Sequence, residues 1–175
     1  QAGTAFFAGD VSTDVLTGFE LYYMTSQDDE VRGSSATDTV FGSAGDDLFV
    51  ASAGLDVLDG GGDSDSLDYS GLAGATSISV TLDGSRTVDV DVAGIGVQSI
   101  TRIENVTGTL GADLLGGDAL SNQLVGGAGD DVPADAGGIA GAAAAGGHGG
   151  ACADARHGHP SRGAGRAVPV RRHRG

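Results

Sequence analysis

Apolar positions recur every nine residues over two stretches of this chain. From residue 24 to residue 68, five nine-residue segments follow without a gap: Met24–Arg32, Gly33–Phe41, Gly42–Val50, Ala51–Asp59 and Gly60–Asp68. The eighth position of each is apolar: Val31, Val40, Phe49, Leu58 and Leu67. The sixth is always aspartate: Asp29, Asp38, Asp47, Asp56 and Asp65. Glycines gather at positions one to four. The same phase returns at Gly108–Gly116, Gly117–Val125 and Gly126–Ala134, with Asp113, Asn122 and Asp131 at position six. Their position-eight residues are Leu115, Leu124 and Pro133. Self-similarity at a fixed period marks a solenoid, whose repeats bury their apolar side chains by stacking. Each nonapeptide reads as a six-residue turn followed by a three-residue strand, with position eight pointing inward.

Between the blocks the period changes to two. Ser77–Leu82 and Thr87–Val92 alternate polar and apolar residues, with Asp83-Gly84 between them, so residues 76–92 read as a β-hairpin with one apolar face. Ile100, Ile103 and Val106 lead back into the repeats. A longer repeat is superposed: Phe19-Glu20 precedes the first block as Ile103-Glu104 precedes the second, an offset of 84 residues. The implied organisation is a truncated β lead-in over 1–23, a first block over 24–68 and a spacer with its lead-in over 69–107. A second block covers 108–132 and a tail 133–175.

Charge sharpens the boundary near Pro133. Residues 1–132 hold 22 acidic residues and 3 Arg, whereas residues 133–175 hold 2 and 6. The tail is rich in Ala, Gly, Arg and His and lacks apolar periodicity, so it reads as disordered. Val132-Pro133 shifts the phase there, and a reading-frame shift in a GC-rich gene would produce such a tail. The net charge of -15, without a single lysine, excludes a nucleic-acid binder and a P-loop. One cysteine, Cys152, allows no internal disulfide, and no apolar run is long enough to span a membrane. The chain opens at Gln1 without a leader and reads as a piece of a longer polypeptide.

The nonapeptides resemble the calcium-binding repeat Gly-Gly-x-Gly-x-Asp-x-U-x of the RTX, or haemolysin-type, family of secreted bacterial proteins. Gly126-Gly-Ala-Gly-Asp-Asp131 matches its first six positions, Gly42–Val50 and Gly108–Gly116 come close, and the two earliest repeats are poor in glycine. The resemblance implies an all-β fold: a parallel β-roll, or right-handed β-solenoid, interrupted by the hairpin spacer. It implies several Ca2+ ions lying between turns on the same side, two repeats apart. The metal-site residues would be Asp29, Asp38, Asp47, Asp56, Asp65, Asp113, Asn122 and Asp131. The stacked pairs would be Asp29 with Asp47, Asp38 with Asp56, Asp47 with Asp65, and Asp113 with Asp131. Asn122 would have no same-side partner. By the same resemblance, the chain leaves the cell unfolded through a type I exporter and folds outside.

The chemistry fits the pattern. Glycine makes a tight turn that can aim carbonyls inward, and calcium takes about six to eight oxygens from carbonyls and carboxylates. Stacked carboxylates repel, and one apolar side chain per nine residues is a thin core. The calcium-free chain is therefore expected to be largely unfolded. Asp28, Asp46 and Asp130 read as outward charge, Asp89 and Asp91 as a solvated strand face. Tyr22, Tyr23 and Phe19 read as packing near the first turn. His148, Cys152, His157 and His159 fit no zinc spacing, and Asn105-Val106-Thr107 matches a glycosylation triplet of a kind that occurs by chance and that a bacterial source would make moot. No His-Glu-x-x-His or Gly-x-Ser-x-Gly occurs, so no catalysis is expected of this chain. Other readings are a stiff spacer of a surface adhesin, or the accessory domain of a secreted hydrolase or epimerase whose catalytic part lies upstream. The chain is expected to be a monomeric segment.

Overall fold

In the computed structural model the described residues are 4–6, 13–15 and 21–134, with side chains described from 21 to 132. Residues 135–175, with the histidines, the cysteine and the frame-shift reading, lie outside the described residues, as does most of the lead-in before Leu21. The described residues form an all-β parallel roll of fifteen strands. They are β1 (Thr4–Phe6), β2 (Thr13–Val15), β3 (Leu21–Tyr23), β4 (Glu30–Arg32), β5 (Thr39–Phe41), β6 (Leu48–Val50), β7 (Val57–Asp59) and β8 (Ser66–Asp68). Then come β9 (Ser77–Thr81), β10 (Val88–Ala93), β11 (Gly96–Thr101), β12 (Asn105–Thr107), β13 (Leu114–Gly116), β14 (Gln123–Val125) and β15 (Val132–Ala134).

Odd and even strands of the repeats fall into two facing sheets. One sheet runs β1-β3-β5-β7-β11-β10-β9-β13-β15, the other β14-β12-β8-β6-β4-β2. Within the first block each strand pairs in parallel with the strand 18 residues on, as Val31 with Phe49 and Val40 with Leu58. Two nonapeptides therefore make one coil. The middle residue of each three-residue strand points inward because side chains alternate across a strand. Tyr22, Val31, Val40, Phe49, Leu58, Leu67, Val106, Leu115 and Leu124 are buried in one continuous core. Tyr22 is fully buried opposite Val40, so β3 already follows the phase of the coils.

The spacer differs in one respect from the sequence reading. A second hairpin follows the first, so β9, β10 and β11 form an antiparallel meander. The added turn runs through Gly94 and Gly96, both with positive φ. The meander sits inside the first sheet: β11 pairs in parallel with β7, and β9 with β13. In the other sheet β8 pairs directly with β12. The meander thus widens one sheet while the opposite sheet carries the stack straight through. Its inner face, Ile78, Val80, Val90, Val92 and Ile100, joins the same core. Tyr69 and Gln98 are buried at its border, the Tyr69 hydroxyl donating to Gln98 Oε1 at 2.7 Å.

The end of the second block also departs from expectation. β15 pairs with β13 in unshifted register, Pro133 opposite Leu115. Pro133 lacks an N–H, which is tolerated on the outermost strand described.

Candidate metal centre

The turns lie along two edges. One edge carries turns 24–29, 42–47 and 60–65, then the short turn at Arg102–Glu104, then turn 117–122. The other carries turns 33–38, 51–56, 108–113 and 126–131. Position-six side chains form a ladder along each edge. The Asp29 N–H donates to Asp47 Oδ1 at 2.9 Å, and the Asp47 N–H to Asp65 Oδ1 at 3.0 Å. On the opposite edge Asp38 donates to Asp56 at 2.9 Å and Asp113 to Asp131 at 3.0 Å. All four of these pairs are 18 residues apart, one coil. Asp38, Asp47, Asp56, Asp65, Asp113 and Asn122 are buried.

Two kinds of turn share this ladder. In turns 24–29, 33–38, 108–113 and 117–122, the position-two N–H donates to the position-six side chain of its own turn. The donors are Thr25, Ser34, Thr109 and Asp118, at 2.8, 2.6, 2.7 and 2.8 Å. The position-two side chain then accepts from the position-four N–H. Ser52 closes turn 51–56 through its hydroxyl, 2.6 Å from Asp56 Oδ2. These five turns bond their position-six side chain internally, although Asp38 Oδ1 is still buried without a partner.

Turns 42–47, 60–65 and 126–131 are built differently. Positions two and four have positive φ: Ser43 (83°) and Gly45 (110°), Gly61 (108°) and Asp63 (72°), Gly127 (92°) and Gly129 (124°). In the first two the self-closing bond is missing, and Asp47 Oδ2 and Asp65 Oδ2 are buried with no hydrogen-bond partner. Leaving a buried carboxylate oxygen unpaired is costly. Burial pushes the Asp47 carboxyl up to about 6, and the charges of Asp29, Asp28 and Asp46 add to it. Burial pushes Asp65 up to about 7, helped by Asp47, Glu104 and Asp46. Burial also raises the Asp56 carboxyl, opposed by its Ser52 and Asp38 hydrogen bonds.

These two adjacent open turns fit a hard divalent cation. A Cβ on Gly42 would collide with the Gly60 carbonyl oxygen and Asp47 Oδ2; one on Gly60 would meet the Arg102 carbonyl oxygen and Asp65 Oδ2. Glycine leaves each cradle lined by a backbone carbonyl and an orphaned carboxylate oxygen. Among the described residues no group of three or more His, Cys, Asp or Glu side chains is placed to hold a metal ion. A cation here would need part of its oxygen shell from backbone, which calcium accepts.

The family described as the RTX calcium-binding nonapeptide repeat matches the chain in four copies, over residues 26–69 and 116–132. The chain carries RTX calcium-binding repeats. A solved structure, that of the extracellular lipase LipA from Serratia marcescens, is similar with a TM-score of 0.38 and 16% identity. The likeness covers 70% of this chain and 28% of the lipase, so the chain spans little more than a quarter of it. No curated protein matches the chain.

The RTX ladder includes a residue the sequence reading passed over. Glu104 Oε2 accepts the Asp65 N–H at 2.9 Å, the place a next Asp would take. The Asn122 Nδ2 donates to the Glu104 carbonyl at 3.0 Å, so Asn122 does have a same-side partner, 18 residues back. Counting nine back from Asp113 reaches Glu104, and nine back from Leu115 reaches buried Val106. The nonapeptide phase held the signal, but without glycines it was hidden. Asp28 and Asp46 are exposed, and each accepts an N–H from the next coil, Asp46 at 3.0 Å and Ser64 at 2.9 Å.

Proposed function

We propose that this chain is a calcium-triggered folding module of a secreted bacterial protein, carried through a type I exporter unfolded and folded outside the cell. The observation that carries the reading is the pair of buried, unpartnered oxygens, Asp47 Oδ2 and Asp65 Oδ2, in adjacent turns of one ladder. Without a cation the fold holds like charges one coil apart in a dry interior, which opposes folding. Calcium, when bound, supplies positive charge at those oxygens. Asp47 and Asp65 would hold it, with the Gly60 and Arg102 carbonyls facing the same cradles. A ligand that binds only the folded state stabilises it by mass action, by about 2.7 kcal/mol per site at 100 times Kd. Low calcium then keeps the chain open, and extracellular calcium closes it. The described chain serves this role without catalysis of its own, and any enzymatic or adhesive activity belongs to the protein around it.

Far-UV circular dichroism during a calcium titration, with magnesium as control, tests this. A coil-to-β transition specific to calcium, centred near ~0.1–1 mM as for extracellular modules, is the expected result. A β spectrum already complete in chelator and unmoved by calcium would overturn it.

A further inference from the structure

We propose that Glu104 and the Arg102 carbonyl complete a divalent cation site with turn 60–65, so that the same ion that closes the last coil of the first block also pins the spacer. This rests on the calcium reading above and assigns one of its sites a wall that no nonapeptide supplies.

Four observations converge. Asp65 is 0% exposed and its Oδ2 has no partner. That oxygen and the Arg102 carbonyl oxygen both crowd the point where a Gly60 side chain would begin. Glu104 stands to Asp65 as Asp65 stands to Asp47: an N–H from one backbone reaches the next carboxylate, at 2.9 Å and 3.0 Å. Arg102 adopts a left-handed φ of 49°, unusual for a side-chain-bearing residue. Its guanidinium bonds Asp59 at 2.6 Å, leaving the backbone carbonyl as its contribution to the cradle. A chain of just three residues, Arg102–Glu104, therefore replaces a six-residue repeat turn. Carbonyl plus carboxylate oxygens in a glycine-lined cradle are hard donors, the chemistry of Ca2+ in preference to a softer metal.

The consequence is that calcium binding and docking of the β9–β11 meander are one event. Glu104→Gln keeps an acceptor for the Asp65 N–H and removes the charge. Isothermal titration calorimetry with CaCl2 on the whole chain would count the ions. The expected result is one ion fewer than wild type, or one ion weakened on the order of tenfold, with the others unchanged. Equal stoichiometry and affinity in Glu104→Gln would overturn the proposal while leaving the calcium reading intact. No binding by wild type would sink both. If Glu104→Gln does not fold, hydrogen exchange on wild type decides. Amides of residues 102–105 should gain protection at the calcium midpoint of the 60–65 turn, and protection of that turn without them would overturn the proposal.

Discussion

Replacing Asp65 with asparagine should make the calcium-free roll more stable while weakening its response to calcium. Asp65 Oδ1 accepts the Asp47 N–H at 3.0 Å, and an amide oxygen can keep that bond. The other oxygen has no partner, and an amide nitrogen there faces the Arg102 carbonyl across the Gly60 cradle. The ladder already contains such an arrangement, because the Asn122 Nδ2 donates to the Glu104 carbonyl at 3.0 Å. A carboxyl that ionises near 7 in the fold and at 3.8 outside it opposes folding once ionised. The difference is worth about 4 kcal/mol at pH 8. The raised value means the folded chain binds the proton more tightly, so wild-type stability in chelator falls as pH rises from about 4 to about 7. Asp65→Asn does not titrate. Its advantage should be absent near pH 4 and complete at pH 8. Circular dichroism in chelator, with the folded fraction driven up by a stabilising osmolyte titrated at both pH values, measures it. An Asp65→Asn chain no more stable than wild type at pH 8, or equally advantaged at pH 4, would refute the reasoning.

Ser43→Gly should stabilise the calcium-loaded roll by about 1 kcal/mol, since Ser43 holds φ 83° against its side chain. Ser52→Gly should do the opposite by removing the hydroxyl bound to Asp56 at 2.6 Å; thermal melts that rank the two variants the other way would count against the two-turn scheme. Gln98→Leu should cost about 3 kcal/mol, because the Tyr69 hydroxyl and the Ser52 and Gly54 carbonyls all lose buried partners. Denaturant midpoints would show it, and a neutral outcome would mean that the meander border is open to water. Phe49→Ala should cost about 3–5 kcal/mol as a core deletion and shift the calcium midpoint upward, whereas Leu55→Ser, at 46% exposure, should leave the midpoint unchanged in the same titration.

The strands of the roll were legible from residue spacing. A side chain at position eight of every nonapeptide that is always apolar must face a common interior, so Val31, Val40, Phe49, Leu58 and Leu67 announce the strands; their 18-residue register followed only from the resemblance to the RTX repeats. Glu104 was missed because it keeps the nine-residue phase but neither the glycines nor the aspartate. The third meander strand, Gly96–Thr101, was not legible because Ile100, with Ile103 and Val106, reads as a return path, although Gly94 and Gly96 flank a turn.

What the sequence by itself determined was the unit: a six-residue turn, a three-residue strand, an acid at the join. What only the tertiary structure decided was which acids are left unpaired. Ser43-Ala-Gly45 and Ser52-Ala-Gly54 are the same tripeptide at the same repeat positions. One is forced left-handed and strips Asp47 Oδ2 of a partner; the other donates its hydroxyl to Asp56. Their neighbours one coil away differ. Gly45 packs on the Gln27 backbone and the Ser43 carbonyl on Gly61, whereas the Ser52 and Gly54 carbonyls are taken by the Gln98 amide. Hydrogen bonding between coils satisfies or orphans a turn's polar atoms, and those partners are far away along the chain.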